Sequence, residues 1–148
     1  MLNQILFMYS RKNLVYVFTI LECIEKSFIY SAECKTEEDF FEKNNQLVFN
    51  ACYTMIMAVG EESNKIENAL KENYPEINWK AIAGLRNLLA HDYAGVDYKV
   101  IYSVIKNHLP NLKEVVVDMI DKIGMEKSEI AEMVATPFYS HLKYLLEK

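Results

Sequence analysis

The sequence predicts an all-α fold, an antiparallel helical bundle with a short C-terminal helical extension. Three observations carry this. Only four Gly and three Pro occur in 148 residues, too few for the frequent turns of a sandwich or barrel. Apolar residues recur at spacings of three and four along most of the chain. No alternating run is long enough for a strand, and no segment repeats. With 51% hydrophobic residues, a chain of 148 supports one domain that buries roughly 70% of its unfolded surface. It needs no metal or disulfide to fold.

The first helix is read over Leu14 to Ile29, where Leu14, Phe18, Leu21, Ile24 and Phe28 form a stripe. Val15, Val17 and Ile20 widen it, so burial on more than one side is expected. Thr36-Glu37-Glu38-Asp39 resembles a capping box with Asp in place of Glu or Gln, opening a short helix with Phe40 and Phe41. The longest helix is expected from Gln46 to Glu72, with Leu47, Ala51, Met55, Ala58, Ile66, Ala69 and Leu70 inward. Gly60 in its middle costs about 1 kcal/mol against Ala, which points to close approach of another backbone. Tyr74-Pro75 ends that helix, because a residue before proline is pushed out of the α region.

Asn78 caps the next helix, with Trp79 in its first turn and Ile82, Leu85, Leu88 and Leu89 beneath. Gly95 is a stop. Asp97 caps a further helix through Ile105, and Pro110 opens another carrying Leu112, Val115, Val116, Met119 and Ile120. Gly124 closes it. Residues 1–124 thus read as the bundle. Residues 125–148 read as a tail of two short helices, about Ser128–Val134 and Pro137–Leu146.

Net charge is −5 and the pI near 5.3, which excludes a uniformly basic nucleic-acid coat but not a local patch. Arg11 and Arg86 are the two arginines, so a planar two-pronged grip on phosphate must use one of them. Cys23, Cys34 and Cys52 are odd in number and lack C-x-x-C spacing, so neither a disulfide framework nor a zinc site is expected. No apolar run reaches the roughly 18 residues of a spanning helix. The start, MLNQILFMYSRKNL, lacks the marks of a secretory leader. A cytoplasmic protein is expected, with no membrane contact.

The chemistry concentrates in Arg86-Asn87-Leu88-Leu89-Ala90-His91-Asp92-Tyr93. Five helical steps of about 100° set His91 about 140° around the axis from Arg86, so the two are not stacked neighbours. Arginine is long enough for both to reach one cleft. Imidazole moves protons near neutral pH, and a guanidinium neutralises charge growing on a phosphate. The pair suits phosphodiester chemistry without a metal. The competing explanation is a capped helix end, with His near its carbonyls and Arg paired to a carboxylate.

Residues 74–93, YPEINWKAIAGLRNLLAHDY, resemble the central signature of HepT-like proteins of the HEPN superfamily. The superfamily carries R-x(4–6)-H with a polar residue after the Arg, as Asn87 is here. The HepT branch extends it to R-x(4)-H-x-Y, matched by Arg86, His91 and Tyr93. Gly60-Glu61-Glu62, Gly95-Val96-Asp97 and Leu109-Pro110-Asn111-Leu112 match as well. The resemblance spans about Leu14 to Ile123 and leaves Met125 to Lys148 without a counterpart.

That resemblance implies a helical bundle that forms homodimers with the motifs of two subunits facing one cleft. It implies a metal-independent endoribonuclease toxin with RNA as substrate and no cofactor. The expected partner is an MntA-like minimal nucleotidyltransferase antitoxin. His91 would be the acid/base, Arg86 the phosphate ligand and Asn87 a positioning group. Tyr93 would take AMP from the antitoxin, unless its ring and hydroxyl serve packing alone. Glu61 or Glu62 would face the motif arginine, or else lie on a solvated helix face. His108 and His141 read as surface or capping histidines. The Met-rich 53–57 stretch reads as core or dimer face. The alternative function is a non-catalytic docking or substrate-binding module of a nucleotidyltransferase.

Overall fold

The computed structural model describes residues 7–148; the first six residues of the apolar start discussed above lie outside that range. Among the described residues there are seven α-helices and no strand. Helix α1 (Asn13–Ser31) is central, because apolar residues occupy more than one of its faces. Val17, Phe18, Ile20, Leu21 and Ile24 are wholly buried, and the helix packs against both α2 (Glu37–Ser63) and α6 (Leu109–Ile123). Val15 departs from the expected stripe and is 63% exposed. Two hydroxyls inside α1 are satisfied by its own backbone, Ser27 donating to the Cys23 carbonyl and Ser31 to that of Ser27.

Thr36 caps α2, its Oγ1 accepting from the Asp39 amide at 3.0 Å. The Asp39 carboxylate, shorter than Glu, accepts instead from the Lys35 amide at 3.2 Å. Lys43 is extended, and Asn44, Asn45 and Gln46 have left-handed φ of 51°, 54° and 67°. Asn tolerates that region better than most residues. The break separates the short Phe40/Phe41 helix from the long one, as the sequence suggested. The buried face beyond it is Val48, Phe49, Cys52, Tyr53, Ile56 and Val59. Leu47, expected inward, is 63% exposed.

The long helix stops at Ser63, not Glu72. Asn13, at the start of α1 and buried, donates to the Glu67 carboxylate at 2.9 Å and accepts from the Glu67 amide at 3.1 Å. This exchange holds Glu67 in an extended conformation, so only a short α3 (Asn68–Lys71) follows. Ile66 and Leu70 still reach the core. Buried Tyr74 then ties the chain to α6 by donating to Asp118 at 2.6 Å.

Helix α4 (Trp79–His91) begins where Asn78 Oδ1 accepts from the Ala81 amide at 2.9 Å. Helix α5 (Tyr98–Ser103) follows, capped by Asp97 on the Lys99 amide. It is not separated by a loop from α6, in whose first turn Pro110 lies as its position predicted. A π turn, Val104–His108, joins it to α6, with the Leu109 amide bonded to the Val104 carbonyl five residues back. Proline cannot donate to the carbonyl four residues before it, and its ring crowds that turn. The wider π turn lets the helix continue past it. Gly124 ends α6 with φ of 86°.

Helix α7 (Lys127–Val134) and a 3₁₀ segment (Ser140–Glu147) make the tail. Ile130, Val134, Leu142 and Leu145 are buried in the same core as α1. Tyr139 meets Phe18 edge-on, and Tyr144 donates to Glu25 of α1 at 3.0 Å. The tail therefore packs on elements other than the motif helix α4. Among the described residues, no helix is long and apolar enough to cross a membrane.

Candidate active site

Helix α4 leans on α2 and buries only Leu89 fully. Its register is set by contacts with successive residues of the long helix. Gly60 provides the closest. A Cβ placed there would lie 2.5 Å from Cβ and 3.1 Å from Cγ of Arg86, so the approach that the sequence implied is to the motif arginine itself. Gly60→Ala is expected to push α4 away and destabilise the protein by about 1–3 kcal/mol. A thermal melt checks this, and a variant as stable as wild type would contradict it.

One residue further, Glu61 accepts from Arg86 Nε at 2.7 Å. Arg86 Nη1 also donates to Asn87 Oδ1 at 3.2 Å. The guanidinium is thus held at two of its three nitrogens, and its other N–H groups have no hydrogen-bond partner among the described residues. Both partners of the ion pair are partly solvated, so its value lies in orientation more than stability. Glu62 turns instead to Lys65, at 2.8 Å.

His91 is the last residue of α4 and exposed, and the structure gives its side chain no hydrogen bond among the described residues. At Asp92 the chain leaves the helix, with φ −143° and ψ 64°. The Asp92 carboxylate accepts from the Gly95 amide at 3.0 Å, and a Cβ at Gly95 would strike that carboxylate. Asp92 is thereby a turn residue. Tyr93 folds back onto α2, its hydroxyl donating to Asn50 Oδ1 and its ring edge-on to Tyr53 at 5.1 Å.

Sequence reasoning placed Tyr53 in a stretch read as core or dimer face and gave neither it nor Asn50 a part in the site. Tyr53 is buried and donates to the Leu89 carbonyl, one of the acceptors left over near the end of α4. Burial, then the proximity of Tyr93 and Asp92, raises its pKa, which keeps it a donor. A tyrosine at a helical core spacing carries no mark of such a role.

Other reactive groups lie apart from this site. Burial pushes the Cys23 and Cys52 thiols up to about 12, which disarms them as nucleophiles. A mostly apolar cavity of about 460 Å³ opens between α2, the first half of α4 and the π turn. His108 lines it, while His141, read from sequence as a surface or capping residue, has a buried Nε2 with no partner among the described residues. Among the described residues, no three His, Cys, Asp or Glu side chains are grouped to share a metal ion.

The family profile described as "Ribonuclease HepT-like" matches residues 20–119, which include both helices of the site. The chain belongs to the HepT-like family. It is 35% identical over 71 residues to a Methanocaldococcus jannaschii protein named "Putative RNase", covering 48% of this chain and 65% of that one. It is 32% identical over 114 residues to "Gamma-glutamylcyclotransferase and putative RNase" of the same organism, covering 77% of this chain and 50% of that one. With "Probable ribonuclease HepT" of Thermococcus cleftensis it shares 33% identity over 104 residues, 70% of this chain and 92% of that one. The match thus spans less than two thirds of the length of the first two relatives. No solved structure matches the chain.

Proposed function

We propose that this HepT-like protein is a metal-independent endoribonuclease, the toxin of a toxin–antitoxin pair. The observation that carries the reading is the end of α4. There Glu61 and Asn87 hold two nitrogens of Arg86, while exposed His91 has no side-chain hydrogen bond among the described residues. In the reaction we infer, His91 takes the proton from a ribose 2′-OH. That oxygen attacks the adjacent phosphorus, and the bond to the 5′-oxygen of the next nucleotide breaks. A protonated histidine returns a proton to the leaving oxygen. Arg86 balances the charge that grows on the phosphoryl oxygens. The purified protein should cut single-stranded RNA in EDTA and leave the same sequence of DNA intact. Intact RNA under those conditions would leave the docking module instead.

A second copy completes the site in this reading. One Arg and one His per chain are sparse, and a twofold axis doubles them. The outer face of α4 supports it, since Gly84, Leu88 and His91 share one side and are all exposed. Nothing lies within 4 Å of a Cβ placed at Gly84. Light scattering at micromolar concentration should give a dimer.

Silencing is assigned to Tyr93 and a minimal nucleotidyltransferase. The phenol attacks the α-phosphorus of ATP and pyrophosphate leaves, so AMP sits beside Arg86 as a bulky anion. The Asn50 hydrogen bond must open first. Tyr93→Phe should take up no AMP from ATP and the transferase, and should escape silencing. Silencing of that variant would mean that complex formation alone inhibits.

A further inference from the structure

Tyr93 is 52% exposed although three groups fix it. Its hydroxyl is bonded to Asn50, its ring stands at 73° to Tyr53, and Phe49 lies 6.4 Å away. Behind Phe49 the aromatic packing continues to Phe41 at 5.2 Å, and Phe41 stacks on Tyr98 at 4.5 Å and 16°. A packed aromatic row thus buttresses the Tyr93 ring, while about half of the residue is left to solvent. An unanchored surface tyrosine loses rotamer freedom when it binds, whereas this ring is already held. It stands two residues beyond His91, where the chain has left the helix.

The charge balance leaves RNA binding short of electrostatic attraction. The protein carries a net charge of −5, and its other arginine, Arg11, is bonded to Glu129 and the Gly124 carbonyl. A net charge of −5 favours a grip on single-stranded RNA that adds uncharged contacts to phosphate neutralisation. Every nucleobase offers a π face, so a fixed aromatic ring supplies such a grip without charge.

We propose that the exposed Tyr93 ring is a stacking platform for one nucleobase of the RNA strand lying across Arg86 and His91. By seating that base, the ring selects which phosphate reaches the two side chains. The proposal rests on the ribonuclease reading, and it assigns the ring a task separate from any modification of the hydroxyl.

The test uses a single-stranded RNA that the full-length protein cuts at one mapped bond, with copies carrying one abasic nucleotide at successive positions around it. Tyr93→Leu keeps apolar bulk without a π face and should raise KM for the intact RNA about tenfold, with a much smaller change in kcat. Tyr93→Phe should recover most of that loss. At one abasic position next to the cut bond, wild type should lose the same factor and Tyr93→Leu nothing further. Equal losses for Tyr93→Leu on every abasic RNA, or no loss on intact RNA, would overturn the platform while the ribonuclease stands. A change of oligomeric state in Tyr93→Leu that accounts for the loss would assign the ring to a subunit interface and also overturn it. No RNA cleavage by wild type would remove the ribonuclease reading, and the platform with it.

Discussion

His91→Ala should reduce RNA cleavage by about 10²–10⁴-fold, the usual worth of a positioned acid/base. Its stability should stay within about 0.5 kcal/mol of wild type, because the residue is exposed and its removal strands no buried partner. Initial rates on a labelled RNA, with melting curves on the same preparations, separate the two quantities. The imidazole has two features suited to the task. It stands exposed at the C-terminal end of α4, where the chain leaves the helix. It also has, among the described residues, no side-chain hydrogen bond to break before it meets substrate. His91→Ala and wild type cutting at equal rates after repurification would show a contaminant or another base at work. A loss of cleavage together with a collapsed melting curve would point to a structural histidine, contrary to its exposure.

The sequence made the elements around this site readable because their signals are local. Asn78 and Asp97 cap helices through bonds within three residues, and Gly60 announces a close approach by its cost in a helix. The identity of the group that approaches Gly60 is a long-range fact, and only the fold supplies it. The errors have the same origin. The helix past Ser63 had a continuing apolar period, yet it ends because Asn13, more than fifty residues away, takes Glu67 into an extended turn. Pro110 lies in the first turn of α6 as read, but a π turn rather than a loop precedes it, so α5 runs on into α6. Leu47 and Val15 fitted apolar stripes and are exposed. Periodicity cannot tell which of two adjacent helix faces meets a neighbour when both carry apolar residues. At the candidate site, residue types named Arg86, Asn87, His91 and Tyr93. The α2 residues that hold them, Asn50, Tyr53 and Glu61, come from a segment tens of residues earlier, and only the resemblance singled out Glu61.

Replacing Arg86 by lysine should lower kcat for RNA about 10²–10³-fold, comparable to the loss of one preorganised donor for a developing anion. The charge survives in Arg86→Lys, but the geometry does not. A guanidinium uses Nε on Glu61 and Nη1 on Asn87 and still has further N–H groups to offer a phosphate. An ammonium is one point, and beside the Glu61 carboxylate it is drawn to pair there and face away from substrate. Glu61→Gln gives the counterpart. Its amide oxygen still accepts from Nε, and exposed pairs are worth about 0–1 kcal/mol, so its rate should fall by less than about fivefold. A purely structural ion pair predicts a different pattern, with equal small losses of stability for the two variants and no loss of rate in Arg86→Lys. The double variant separates the cases further. If Glu61 acts through Arg86, then Glu61→Gln should add almost nothing once lysine stands at 86, which makes the two effects non-additive. Full cleavage by Arg86→Lys would remove the arginine from the chemistry and return the pair to the role of a helix clamp.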